Sequence, residues 1–159
     1  MRLRNYQEAV ARAVVDSVMN GRGLTIVVMF PRQSGKNELQ AQIEAFLMTL
    51  YRNKEREMVK VSPTWKPQSL NAMQRLERVL ARNCICRSLW AKERGYIYRM
   101  GGVRIFFLSG SPSANVVGAT ANLLLQCDEA QDVLSSKWDK EFGPMAASTN
   151  ATRVFWGTA

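Results

Sequence analysis

At 159 residues with 47% hydrophobic side chains, the chain can build one domain around its own core and is too apolar to be disordered. Its formal charge of +9 favours a polyanionic partner such as DNA or RNA, and with no apolar run of membrane-spanning length and no signal peptide the expectation is a cytoplasmic protein, neither secreted nor membrane-bound. The absence of histidine and the odd cysteine set, Cys84, Cys86 and Cys127, argue against Ser-His or Cys-His catalysis, a zinc site and a disulfide framework.

In chain order, Asn5 is a candidate cap for a first helix. Val10, Val14 and Val18 recur every four residues, and Gly21 and Gly23 follow its end. Thr25 to Phe30 is β-branched, apolar and uncharged, which predicts a buried strand. The loop Pro31-Arg32-Gln33-Ser34-Gly35-Lys36-Asn37 comes next. Beyond it Leu39, Ile43, Phe46, Leu47 and Leu50 fall at helical spacing as far as the charged turn Tyr51 to Lys54. Met58 to Val61 predicts a short strand closed by Ser62-Pro63-Thr64. Pro67 then opens a helix with Leu70, Met73, Leu76 and Leu80 on its core side. Arg75, Arg78 and Arg82 share a stripe of that helix, either a contact for a phosphate backbone or a solvated face. Tyr96 to Met100 and Val103 to Leu108 flank Gly101-Gly102 as a hairpin. Ser109 to Thr120 is a loop of small residues, Leu123 to Cys127 a buried strand, Lys137 to Phe142 a short helix and Arg153 to Trp156 a last strand.

Alternating strands and helices imply a mainly parallel sheet with helices on both faces, whose ligands sit beyond the carboxyl ends of the strands. Three polar clusters fall at such ends: the Gly35-Lys36 loop, Asp128-Glu129 and Gly157-Thr158. Strand, polar loop and amphipathic helix make the setting of a phosphate-binding loop. There, backbone N–H groups and the helix dipole face the phosphates, and Lys36 adds a point charge. The match to the usual pattern is partial, because Phe30 stands at the first glycine and Asn37 at the hydroxyl that normally ligates Mg²⁺. An amide oxygen can still serve a hard cation. The plainer alternative is a helix start with Ser34 as its cap. Asp128 at the strand tip is placed to ligate Mg²⁺ and Glu129 to activate water; the plainer alternative is a pair of solvated acids in a loop, with Glu129 helping to start a helix. Arg32 can reach the γ-phosphate or, more plainly, is a surface arginine that adds to the basic field. Tyr6 can pack on a base, and Gln7 can pair with an adenine edge.

Laid out together, these segments resemble the ATPase domain of the large terminase subunit, the DNA-packaging motor of tailed bacteriophages. Leu3 to Gln7 resembles the adenine-binding motif and Pro31 to Asn37 the variant phosphate loop (Walker A). Ser62 to Thr64 resembles the segment after the second strand. Gly110 to Gly118 and then Leu123 to Gln131 resemble the approach to the Walker B strand and its Asp-Glu-Ala. Phe155 to Ala159 resembles the coupling motif. The resemblance implies a P-loop NTPase fold of RecA/ASCE type, and ATP and Mg²⁺ as cofactors. It makes Tyr6, Gln7, Arg32, Gln33, Ser34, Gly35, Lys36, Asn37 and Thr158 nucleotide-binding, with Asp128 and Asn37 at the metal. Glu129, Lys36 and Arg32 become catalytic, and Thr158 the coupling residue.

It also implies double-stranded DNA, the portal or procapsid and the small terminase subunit as partners, a homo-oligomeric ring, and a place in the host cytoplasm. Residues 1–159 are expected to be a single ATPase domain truncated after the coupling motif, with no nuclease domain. Two alternatives stand beside a packaging ATPase. One is a nucleotide- or DNA-binding fragment without turnover of its own; the other is a helicase-like ATPase of superfamily 2.

Overall fold

The computed structural model describes residues 2–111 and 119–159. Pro112 to Gly118, in the loop of small residues that approaches the Asp-Glu strand, lie outside the described residues. The elements run α1 (Asn5–Met19), β1 (Thr25–Phe30), α2 (Lys36–Tyr51), β2 (Arg56–Ser62), α3 (Leu70–Arg82), β3 (Trp90–Glu93), β4 (Ile97–Met100), β5 (Val103–Ser109), β6 (Leu124–Cys127), α4 (Ser135–Lys137) and β7 (Thr152–Thr158). The short turn α4 continues through an irregular helical segment to Phe142.

Among the described residues seven strands form one sheet, in the order β1-β7-β6-β2-β5-β4-β3. The first five in that order are parallel neighbours, and β5, β4 and β3 are antiparallel. The chain leaves β1 through α2 and enters β2, with room for two strands between them. Later strands β6 and β7 fill the gap, so the carboxyl ends of β1, β7, β6 and β2 stand side by side. Such a reversal of strand order opens the crevice where α/β sheets place ligands.

Three long helices cover one sheet face. Val14 and Val18 of α1, Leu39, Ile43 and Leu47 of α2, and Met73, Leu76 and Leu80 of α3 pack there against Val28, Met58, Phe107, Leu124 and Trp156. The other face is covered by short segments. Ala121, Phe142, Met145 and Ala146 pack on Val59, Val61, Phe106 and Leu125. Helical structure therefore covers both faces, very unequally.

Several local expectations need correction. The cap of α1 is Arg4, not Asn5; its backbone N–H donates to Gln7 Oε1 at 2.9 Å. β1 is not buried throughout: Val27 and Met29 are exposed on the face that the long helices leave open. Phe46 and Leu50 of α2 are also exposed, since the covered stripe runs through Leu39, Ile43 and Leu47. The helix after Ser62 starts in regular form at Leu70, after an irregular turn over Trp65–Ser69. Strand β3 is a further element, joined to β4 by a turn in which Arg94 and Gly95 both have positive φ. The Gly-Gly turn between β4 and β5 requires its glycine. Gly101 has φ 59°, and a Cβ there would lie 2.2 Å from the Arg52 carbonyl oxygen.

Candidate active site

The loop after β1 turns into α2 at Gly35, which caps the helix with φ 80°. The cap is thus Gly35 rather than Ser34, and a side chain is disfavoured there twice. The left-handed backbone disfavours one, and a Cβ would meet Gln7 Nε2 at 2.5 Å. Gln7 and Tyr6 brace the loop from behind. The Gln7 amide donates to the Gly35 carbonyl at 3.2 Å, and the Tyr6 hydroxyl donates to the Ser34 carbonyl at 2.8 Å. The Tyr6 ring meets Phe30 edge-on, with centroids 5.3 Å apart. Phe30, at the position of the missing first glycine, therefore packs under the loop. Both ends of the Gln7 amide are spent on backbone, at Gly35 and Arg4.

Lys36 opens α2 and is buried. Its ammonium donates to Thr158 Oγ1 at 2.9 Å, is bonded to Glu129 Oε1, and lies 3.5 Å from Asp128 Oδ1. Thr158, near the end of β7, donates its hydroxyl to the same Glu129 oxygen at 2.8 Å. Four groups from the loop and from the ends of β6 and β7 are therefore joined in one knot. Glu129 adopts φ 45° and ψ 54°, a left-handed conformation rare for a side-chain-bearing residue. That backbone turn separates the directions of the two adjacent carboxylates. Gln131 Nε2 donates to the other Glu129 oxygen at 2.7 Å. Burial works to raise the Glu129 pKa, but hydrogen bonds from Lys36, Thr158 and Gln131, with the Lys36 charge, outweigh it and hold the carboxyl below its ordinary value. Glu129 is thus a carboxylate at neutral pH.

Asp128 Oδ1 accepts from Gln40 Nε2 at 3.1 Å and from the Glu129 N–H at 3.0 Å. Beside it, burial and then the Asp128 charge push the Cys127 thiol up to about 12, so it stays protonated.

These groups border an open cavity of about 860 Å³. Arg32, Gln33, Ser34, Gly35 and Asn37 form its loop wall, and Asp128, Glu129 and Thr158 its floor. Arg32 and Asn37 are exposed to it. Ser34 Oγ is buried without a hydrogen-bond partner, as a loop hydroxyl would be that waits for an anion. The opposite wall is α3, through Asn71, Arg75 and Arg78. Of the arginine stripe, Arg75 and Arg78 thus face the cavity, while Arg82 is not on its wall. Arg75 also pairs with Glu38 at 3.1 Å.

The metal donors available are oxygens: Asp128 Oδ2, which carries no hydrogen bond from the described residues, and the Asn37 amide. Among the described residues no group of three or more acidic or cysteine side chains makes a metal cage. A donor set this sparse fits Mg²⁺, which binds through one or two protein oxygens and completes its shell with water and phosphate.

Four buried polar residues were not singled out by the sequence pattern: Lys60, which lines the cavity, and Gln40, Glu44 and Gln126 behind it. Lys60 Nζ meets Glu44 Oε2 at 2.9 Å; Gln126 donates to the same oxygen at 2.9 Å and accepts from Trp156 Nε1 at 3.0 Å. Burial, acting against Lys60 and Gln126, pushes the Glu44 carboxyl above its ordinary value. The signal was present as a lysine inside the apolar run Met58 to Val61 and as polar residues four and eight positions after Lys36.

No protein-family model and no curated protein matches the sequence. Solved structures match its fold. The HK97 bacteriophage large terminase superimposes with a TM-score of 0.79 at 18% identity, over 99% of this chain and 33% of that one. The large terminase ATPase domain of Thermus phage P74-26 does so with 0.68 at 17% identity, over 85% of this chain and 59% of that one. The large terminase of a further, thermophilic bacteriophage, in complex with ATP-gamma-S, gives 0.71 at 14% identity, over 98% of this chain and 38% of that one. The chain spans about a third of the HK97 protein. At these identities the likeness is one of fold: a P-loop sheet of the kind found in phage large terminase ATPase domains.

Proposed function

We propose, from a fold shared with phage large terminase ATPase domains, that this chain is the ATP-hydrolysing part of a motor that packages double-stranded DNA. The observation that carries the reading is the convergence of Lys36, Asp128, Glu129 and Thr158 beside the loop that turns into α2. The thermophilic phage terminase solved with ATP-gamma-S supports the choice of nucleotide.

Lys36 is paired with Glu129. A triphosphate entering the loop takes over Lys36, accepts from the loop N–H groups and Ser34 Oγ, and so releases the Glu129 carboxylate. Glu129 then orients a water in line with the γ-phosphorus and takes its proton as the bond to the β-phosphate breaks, leaving ADP and inorganic phosphate. Arg32 sits where it can balance charge on the transferred group. Mg²⁺, which Asp128 and Asn37 would hold, would supply neutralisation of phosphate charge. Tyr6 and Gln7 serve the adenine side through the loop they brace. Thr158 touches both Lys36 and Glu129, so it registers the exchange and passes it to β7, the step that would couple hydrolysis to DNA movement. The basic charge suits a DNA partner. A ring of copies on a procapsid in the host cytoplasm, with a portal and a small terminase subunit, completes the proposal.

Phosphate release from ATP with Mg²⁺, with and without double-stranded DNA, tests it. Glu129→Gln is expected to lower turnover about 10²- to 10⁴-fold while ATP still binds, and Lys36→Ala to lose binding. A chain that binds no ATP overturns the reading. Binding without release reduces it to a nucleotide-binding module, the alternative that Asn37 in place of a hydroxyl favours.

A further inference from the structure

On the core face of α2, Lys36, Gln40 and Glu44 follow one another at four-residue steps, and all three are buried. Gln40 has no part in the chemistry above. It has no exposed surface, its Nε2 donates to Asp128 Oδ1, and its Oε1 has no partner. A buried amide with half its capacity unmet costs free energy that an aliphatic side chain would not, as Ile43 and Leu47 on the same helix illustrate. The compensating bond is the one to Asp128.

The contacts of Asp128 are lopsided. Oδ1 has the Gln40 amide at 3.1 Å, the Glu129 N–H at 3.0 Å and the Lys36 ammonium at 3.5 Å, whereas Oδ2 has no such contact among the described residues. When a phosphate draws Lys36 away, Gln40 remains, among the described residues, as the one side chain hydrogen-bonded to that carboxylate. We infer that Gln40 is a positioning residue: it commits one oxygen of Asp128 to the protein and thereby presents the other to the cation that enters with the nucleotide. The inference rests on the ATPase reading and adds to it a side chain outside the phosphate loop and the Asp-Glu pair. Groups that orient a metal-binding carboxylate commonly change metal affinity about 10- to 100-fold when removed.

The test is equilibrium binding of ADP, first in EDTA and then across a Mg²⁺ titration, repeated with Mn²⁺ followed by electron paramagnetic resonance. Gln40→Leu is expected to bind ADP in EDTA as the wild type does and to need about tenfold more Mg²⁺ or Mn²⁺ to reach half of the metal-dependent gain. Loss of general packing would weaken both media together, so equal weakening in EDTA and in metal overturns the role, as does an unchanged metal midpoint. Where Gln40→Leu lacks a cooperative thermal transition, Gln40→Met keeps the length and volume and removes the donor, and its metal midpoint is expected to rise as far. Wild-type protein that binds ADP in neither medium overturns the ATPase reading and this inference with it; normal wild-type binding with no change in the variants overturns the inference alone.

Discussion

Helices α2 and α3 lie on the same sheet face and bury very different surfaces. α3 buries Met73, Leu76, Val79 and Leu80, all apolar. α2 buries Leu39, Ile43 and Leu47 but also Lys36, Gln40 and Glu44, each matched to a polar group from the sheet or its strand ends. A helix can be fastened through a buried face that is all apolar, as that of α3 is. The polar stripe of α2 is therefore not needed for attachment. A buried ion pair such as Lys60–Glu44 repays its desolvation poorly, and an apolar pair of similar volume often does as well. That stripe runs on from the Gly35 loop and marks where the helix meets the polar groups at the strand ends rather than the core alone.

The largest effect should come from breaking the buried pair. Lys60→Met leaves the Glu44 carboxyl without its cation and is expected to cost about 4 kcal/mol in urea unfolding. Lys60→Met combined with Glu44→Leu should recover most of it. A double variant as unstable as the single one would show that the pair is needed for packing, and the contrast between the helices would lapse. Next, Leu76→Ala on α3 should cost about 3 kcal/mol through the cavity it leaves, with ADP affinity unchanged at temperatures where the protein stays folded. A loss of affinity would make α3 part of the site in a way its apolar face does not suggest.

The smallest effect is one of pH. Glu129 binds its proton less tightly folded than unfolded, so its contribution is complete above the ordinary glutamate value and is lost as pH falls through the lower folded one. The stability gap between wild type and Glu129→Gln should therefore shrink on acidification. Glu44, raised by burial, works in the opposite sense and loses its contribution as pH rises through its folded value. An acid titration of unfolding free energy for wild type and Glu129→Gln checks the sign.

Much of this could be read from residue order. The run from Thr25 to Phe30, the Gly-Gly hairpin and the Leu-Leu-Gln-Cys strand each carry a local pattern strong enough to survive folding. The site clusters were legible because each falls where a strand pattern stops. What was hidden depended on neighbours in space. β3, with the sequence Trp-Ala-Lys-Glu, has little strand character and exists because β4 pairs with it. Val27 and Met29 read as core, but whether a strand face is covered is decided by what packs over it. Gln40 and Glu44 look like the solvated side of an amphipathic helix until Asp128 and Lys60 are placed opposite them. Gln7 shows the same limit: its bond to Gly35 joins positions separated by most of the first helix and the whole first strand.

The pairing of β1 has a consequence in time. Among the described residues its sole strand neighbour is β7, and the Ser17–Thr152 hydrogen bond that ties the end of α1 to that neighbour joins residues 135 positions apart. Closing so long a stretch of chain is slow compared with forming a hairpin such as β4–β5. During synthesis β1 emerges early and has no strand to dock on until β7 follows. The sheet can grow from β2, β5 and β6 while the Gly35 loop stays unseated, so a segment made before most of the sheet is among the last to take its final place in it.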